Sequence, residues 1–278
     1  MNKDITLALL MATPEETEPF LKLCRSSHQV CSLPQGLKLD GLCSDSPTIW
    51  EFNYPNLNLA VILTGMGRER AALAAQLAVR RYQPQLLLSA GFAGALSPSL
   101  QIGQIVGVER LEGDLSTEPS EISKRIWERA KQYWEAQAEH VAANMPLPYK
   151  ITSASVLTCS QVVRFKHTKA HLLSCYGAAA VDMEAASVAQ VAIQEGVPWA
   201  AVKVVSDAAA FDMPMDFTSL TDPETGQVDK VKVIWEIFKR PGCLAGLKRL
   251  AQNSALAAQN LAKFLNGYIQ TAAVELKS

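Results

Sequence analysis

Glu184-Ala185-Ala186-Ser187-Val188-Ala189-Gln190-Val191-Ala192-Ile193, then Gly196-Val197-Pro198, then Trp199-Ala200-Ala201-Val202-Lys203-Val204-Val205-Ser206-Asp207: this succession decides the fold class. The first run is apolar except at Ser187 and Gln190, which predicts a helix buried on most sides, and Gly196 and Pro198 end it. Trp199 to Val205 is mostly apolar and β-branched, the composition of a parallel strand covered on both faces. Ser206 and Asp207 stand where that strand runs out. Ligands of open α/β sheets bind beyond the carboxyl ends of the strands, so an acid here is expected to face a ligand. Glu184 opens the preceding helix and is placed on the same edge; one acid would hold a substrate and the other handle a proton. Each acid also has a plain structural explanation. A carboxylate in a first helical turn complements the dipole, and an Asp after a strand caps or turns the chain.

Working outward, strands alternate with helices. Ile5 to Met11 reads as a first strand, and Thr13-Pro14-Glu15-Glu16 opens a helix with an N-cap, a proline at the first position and a capping-box glutamate. Leu57 to Leu63 is a strand ending in Thr64-Gly65-Met66-Gly67, with a helix from Arg68 to Arg81. Leu86 to Ser89 is a buried strand ending in Ala90-Gly91-Phe92-Ala93-Gly94, and Gln101 to Val108 a further extended segment. Glu121 to Val141 is helical and Ile151 to Leu157 a strand. The expectation is an α/β fold: a single three-layer α/β/α domain with a mixed, mainly parallel central sheet. Residues 1–210 would form the catalytic unit, and residues 211–278 a C-terminal extension packed on the same domain. In that extension 212–227 reads as irregular, and a short helix runs to Lys239. Leu244, Leu247, Ala251, Ala255, Ala258, Leu261, Leu265 and Tyr268 then share one face of a long amphipathic helix.

Composition narrows the function. The 26 basic and 27 acidic residues nearly cancel, which argues against a nucleic-acid partner held by bulk electrostatics but not against a nucleoside. Six scattered cysteines show no Cys-x-x-Cys and no zinc spacing, and read as reduced, mostly buried thiols. Residues 82–108 carry no charge, yet prolines and glycines cut them into strand-sized pieces, so they read as core rather than membrane span. The N-terminus has no secretory pattern, and the expected location is cytoplasmic.

The glycines of Gly65-x-Gly67 and Gly91-x-x-Gly94 let backbone approach a ligand or turn tightly; neither forms a dinucleotide fingerprint or a P-loop. Glu16 is a third acid of interest. It can simply bond back to the Thr13 amide, or it can orient a water on the sheet edge that carries Asp207.

Met-Glu-Ala-Ala at 183–186, Val-Val-Ser-Asp at 204–207, Thr-Gly-Met-Gly at 64–67 and Ala-Gly-Phe-Ala-Gly-Ala-Leu at 90–96 resemble the nucleoside phosphorylase/nucleosidase superfamily. Within it the chain is most similar to 5'-methylthioadenosine/S-adenosylhomocysteine nucleosidases, from residue 4 to about 209. The resemblance implies cleavage of the N-glycosidic bond of a purine nucleoside with no metal or organic cofactor, by a homodimer or larger homo-oligomer. It implies that Glu184 binds the ribose hydroxyls with Met183 packed on the sugar. Asp207, steadied by Ser206, would protonate the leaving base, and Glu16 would align the attacking water. Gly67, Gly91, Phe92 and Ala93 would line the substrate pocket, and Leu157 and Cys159 would contact the base.

Phosphorylases of the superfamily carry an arginine-bearing loop after the first strand, where this chain has Met11-Ala12-Thr13-Pro14-Glu15-Glu16, with no cation and two carboxylates. That favours water over phosphate as nucleophile. Phe92 stands where relatives commonly have serine, and Ala210 where nucleosidases usually have a second acid. The segment from Asp212 resembles the tails of hopanoid-associated relatives. Phe211, Met213, Met215 and Phe217 would line a cleft for a large 5'-substituent, or else belong to core or interface. The alternatives are a phosphorylase, a nucleosidase for an adenosylhopane- or futalosine-type substrate, and a non-catalytic nucleoside binder.

Overall fold

A computed structural model of the chain describes residues 5–27, 30–31, 47–54, 57–141, 150–222, 226, 228–239 and 241–277. The first half contains β1 (Ile5–Met11), α1 (Pro14–Ser27), β2 (Val30–Cys31), β3 (Thr48–Tyr54), β4 (Leu57–Leu63), α2 (Arg68–Tyr82), β5 (Leu86–Ala95), β6 (Ile105–Glu112) and α3 (Glu121–Val141). The second half contains β7 (Ile151–Thr158), α4 (Lys166–Tyr176), β8 (Ala180–Asp182), α5 (Ala185–Gln194), β9 (Trp199–Asp207), α6 (Phe217–Leu220), α7 (Lys230–Lys239) and α8 (Leu244–Glu275).

The apolar runs of β1, β4, β5 and β9 make a sheet buried on both faces. Strands lie in the order β2-β3-β4-β1-β5-β8-β7-β6-β9, and β5 also pairs with β9. The sheet is mixed: β1–β4, β1–β5, β5–β9, β6–β7 and β7–β8 are parallel, and the remaining pairs antiparallel. Because β9 pairs with β6 as well as β5, the strands β5-β8-β7-β6-β9 close on themselves. This closure brings the ends of β5, β8 and β9 together.

Two cores flank the sheet and make three layers. On one face α1, α3 and α8 pack over Leu7, Leu9, Leu88, Val202 and Val204. On the other α2 and α5 pack over Ala8, Leu10, Leu87, Ala201 and Val205. The alternating parity along β1 and β9 is the two-residue period of a strand with apolar residues on both sides. In α8, Phe264 and Tyr268 are fully buried, and Phe264 meets the rings of Trp127 and Trp134 at 5.5 and 6.3 Å between centroids. Burying one such ring stabilises the fold by about 1.5–3 kcal/mol.

The structure corrects several sequence expectations. β5 does not stop at Ser89 but runs through the glycines to Ala95, because ladders to β9 and β8 continue along it. The extended segment expected at 101–108 lies at Ile105–Glu112 instead. β3, β8 and α4 were not expected: β8 has three residues, and α4 (KHTKAHLLSCY) has almost no amphipathic pattern. Within 212–227, Phe217–Leu220 forms a short helix whose first turn is capped by Asp216, with the Thr218 amide donating at 3.1 Å. The apolar face of α8 is buried only in its second half; Leu244 is 52% exposed, and Ala251 and Ala255 are exposed too. Of the four cysteines whose side chains are described, Cys24 is buried, Cys159 and Cys243 are half-buried and Cys175 is exposed; Cys43 lies outside the described residues. Among the described residues no helix is long and apolar enough to cross a membrane.

Candidate active site

Helix α1 opens straight after β1, and its capping box forms. The Glu16 amide donates to Thr13 Oγ1 at 3.3 Å, and the Thr13 and Ala12 amides donate to Glu16 Oε2 at 2.9 and 3.0 Å. The capping reading of Glu16 is therefore correct, but it covers one oxygen only. Oε1 reaches across to β5, where the Phe92 amide donates to it at 2.7 Å. This approach requires glycine at 91, because a Cβ there would lie 2.7 Å from Glu16 Oε1. Burial raises the Glu16 pKa, while the Phe92 and Thr13 amides and the Lys203 charge pull it back.

Glu184 sits at the N-cap of α5 without capping it. That task falls to Asp182, whose Oδ2 accepts from the Ala185 amide at 2.9 Å. The Glu184 carboxylate is turned to the Gly67 amide, which donates to Oε1 at 2.8 Å. Gly67 has φ +102°, a conformation a side chain would strain. Enclosure and the neighbouring Asp182 charge push the Glu184 carboxyl up to about 7, against the pull of Lys203.

Lys203 is the group that unites these acids. It projects from mid-β9, fully buried, with Nζ 2.7 Å from Asp182 Oδ2 and donating to Ser89 Oγ at 3.1 Å. Burial alone would depress its ammonium, but Asp182, Glu184 and Glu16 raise it above its ordinary range. Asp182 is held from its other side by Thr158 Oγ1, donating at 2.6 Å. Glu16, Glu184, Lys203, Thr64, Ser89 and Gly91 line one cavity of about 10 Å³ at the carboxyl ends of β1 and β4 and beside the middle of β5.

Asp207 lies farther along the same strands. Gly94 is its partner on β5, and a Cβ at 94 would lie 3.0 Å from Asp207 Oδ2. Three residues of strand separate Gly91, beside Glu16, from Gly94, about 10 Å at the usual rise. Asp207 is 1% exposed. The Ser206 hydroxyl donates to its Oδ1 at 2.9 Å, with a longer contact to the Ala93 carbonyl at 3.3 Å. Lys169 Nζ, from α4, stands 2.5 Å from its Oδ2.

Of the residues expected at the site, Glu16, Gly91 and Glu184 line the cavity. Gly67 and Phe92 hold its acids through their amides, and Ser206 with Ala93 borders Asp207. Asp207 itself is not part of that cavity's lining. Leu157 and Cys159 lie outside that lining too: Leu157 is buried against Leu96 and Val181, and the Cys159 amide donates to the Asp182 carbonyl at 2.8 Å. Met183 is half-buried beside Glu184 and is not in the lining either. Lys203, Asp182 and Lys169 were missed. Lys203 had a signal, a lone charge inside a strand read as buried on both faces, where lysine needs a partner. Lys169 had none, because only the tertiary fold brings α4 to Asp207.

A second cleft of about 590 Å³ opens between Arg164, the segment 214–220 and α7. Of the four side chains expected in an apolar cleft, Met215 lines it, whereas Phe211 lies under the Arg249 guanidinium at 5.3 Å. Among the described residues no group of three or more His, Cys, Asp or Glu side chains is placed to hold a metal ion.

A family model described as "Phosphorylase superfamily" matches residues 6–232. The 5'-methylthioadenosine/S-adenosylhomocysteine nucleosidase of an Exiguobacterium species is 24% identical over 66% of this chain and 82% of that protein. The nucleosidase of the same name from Shewanella oneidensis is 30% identical over 58% of this chain and 71% of its own. Among solved structures, futalosine hydrolase of Helicobacter pylori superposes with a TM-score of 0.69 at 19% identity, covering 96% of this chain and 98% of that one. A Helicobacter pylori 5'-methylthioadenosine/S-adenosylhomocysteine nucleosidase superposes at 0.68 with 20% identity, covering 97% of this chain and 99% of its own. Such coverage extends into α8.

Proposed function

The chain belongs to the phosphorylase superfamily, and we propose that it hydrolyses the N-glycosidic bond of a 5'-modified adenosine, of the methylthioadenosine or S-adenosylhomocysteine type, releasing adenine. That it is an N-glycosidase follows from its relatives; the substrate and the roles below are this reading's own. One observation carries it. Glu16, Glu184 and Lys203 converge on a space of about 10 Å³, the volume for one water with several polar partners. Three carboxylates (Glu16, Glu184 and Asp182) against one ammonium would repel a phosphate there.

In this mechanism Glu184 accepts hydrogen bonds from the ribose hydroxyls. Glu16, fixed by three amides, orients a water toward C1' and takes its proton. The bond from C1' to the base breaks with its electron pair moving into the purine. Asp207 supplies a proton to the ring nitrogen that would otherwise carry the charge. The sugar becomes cationic in the transition state, and the carboxylates around it stabilise that charge at short range.

Incubation with methylthioadenosine, S-adenosylhomocysteine, inosine and an adenosine bearing a long apolar 5'-tail, each with and without phosphate, tests the reading. Free adenine without phosphate is the expected product. Absolute dependence on phosphate would make the enzyme a phosphorylase, and no free base from any of them would leave a binding protein.

A further inference from the structure

Lys169, beside Asp207, has no part in that reaction. Lys169 is fully buried on α4, and its ammonium has three partners: Asp207 Oδ2 at 2.5 Å, the Ala208 carbonyl at 3.0 Å and the Phe211 carbonyl at 3.3 Å. An ammonium has three N–H donors, so all are used. A latch between α4 and the turn after β9 would need only the two carbonyls. The third bond goes to the acid at the leaving-group position. With Oδ2 facing Lys169 and Oδ1 facing Ser206, the carboxylate is gripped from both sides while keeping free lone pairs.

Resting on the reading of Asp207 given above, we propose that Lys169 is a positioning residue that supplies the proton Asp207 passes to the departing base. The ammonium transfers a proton to Asp207, whose carboxylic acid protonates the ring nitrogen as the C1'–N bond breaks. Lys169 is left as a neutral amine and Asp207 as a carboxylate. The water oxygen bonds to C1', and the water proton goes to Glu16 and then to solvent. Lys169 regains a proton from solvent when the product leaves. The relay lets Asp207 act as the acid with Lys169 as the source of the proton. The other charged groups around the pair are Lys203, Asp182, Glu184 and Glu16, further back along the strands, and the Lys166–Asp212 contact at the start of α4, 3.9 Å between charged atoms.

The test compares kcat against pH, from 5 to 9, for the wild type, Lys169→Met, Lys169→Arg and Asp207→Asn. The substrate is whichever nucleoside of the panel above is cleaved, and thermal melts monitor folding. Lys169→Met should lose about 10²- to 10⁴-fold at pH 7.5, the usual worth of acid catalysis, and recover toward pH 5, where solvent is the richer source of protons. Lys169→Arg keeps the ion pair but cannot give up its proton, so it should fold, stay equally slow at pH 7.5 and show no acid recovery. Wild-type turnover by Lys169→Arg would reduce Lys169 to a latch and overturn the relay, and it decides the matter even if Lys169→Met does not fold. An unshifted profile for Lys169→Met would overturn it equally. Wild-type turnover by Asp207→Asn, or no cleavage of any nucleoside by the wild type, would remove the underlying reading itself. An inactive Asp207→Asn beside an active Lys169→Arg would remove only the relay.

Discussion

Lys203, in the middle of β9, and Asp182, at the end of β8, form an ion pair 2.7 Å long with both side chains at or below 1% exposure. The two residues lie on different strands of the closed part of the sheet, and the pair fixes both the cavity floor and the start of α5. Removing one partner of such a pair leaves an uncompensated buried charge. Lys203→Met is therefore expected to destabilise the protein by about 3–5 kcal/mol, read from the urea midpoint. Adding Asp182→Asn should return part of that loss, since the two sites are coupled. A Lys203→Met protein within about 1 kcal/mol of wild type would show that the pair contributes little.

Much of the fold around this pair was legible in the sequence and much was not. The runs of β1, β4 and β9 announce themselves because strands covered on both faces must be apolar throughout, and their bounds came out within two residues. The Thr13–Glu16 capping box and the Glu184 and Asp207 positions are local patterns, and local patterns survive folding. What sequence hid is what depends on closure. β8 owes its existence to neighbours on both sides rather than to its own three residues. α4 lacks an apolar stripe, so nothing in its sequence foretells that Lys169 will be buried. The glycines of β5 read as a turn because glycine usually breaks strands; here they stay in the ladder, and at 91 and 94 they leave room for Glu16 and Asp207.

The Glu184 carboxyl, pushed up to about 7, gives the enzyme a pH limb. Only the ionised form accepts from two ribose hydroxyls, so kcat/KM should fall as pH drops below about 7, approaching tenfold per pH unit, with a rise in KM. The stability sign is opposite. An acid whose folded pKa lies above its unfolded value stabilises most when protonated. That contribution is full below about 4.5 and is lost as pH rises through about 7. The ligand-free protein should therefore melt higher at pH 5.5 than at 7.5, and Glu184→Gln should shrink both dependences. A kcat/KM flat from pH 5.5 to 8 would refute the assignment.

Alanine at either β5 glycine probes whether the two acids must be placed to within an ångström. A methyl at 91 would lie 2.7 Å from Glu16 Oε1, and one at 94 would lie 3.0 Å from Asp207 Oδ2. Neither glycine has the positive φ that would strain an alanine, so the effect should fall on the carboxylates. A displacement near 1 Å typically costs about 10²-fold in rate. Both variants are expected to lose kcat with KM changed less than threefold or so. Steady-state kinetics that show KM rising while kcat holds would mean these acids bind substrate without taking part in its chemistry.

The two halves of α8 differ in burial. Phe264 is fully buried among Trp127, Trp134 and Tyr268, and α8 as a whole packs on α1, α3 and β9. Phe264→Ala removes a ring from a close-packed aromatic cluster and should cost about 3–5 kcal/mol. Leu244, at the other end of the helix, is 52% exposed, and Leu244→Ala should stay within about 0.5 kcal/mol. If α8 were an appended arm, Phe264→Ala would instead produce a separate early transition and leave the main unfolding midpoint in place. One cooperative transition shifted down by Phe264→Ala, at unchanged slope in urea, would establish that the helix folds with the sheet. It would also tie the helix to the site, because β9 carries Lys203 and Asp207 between α8 and α5.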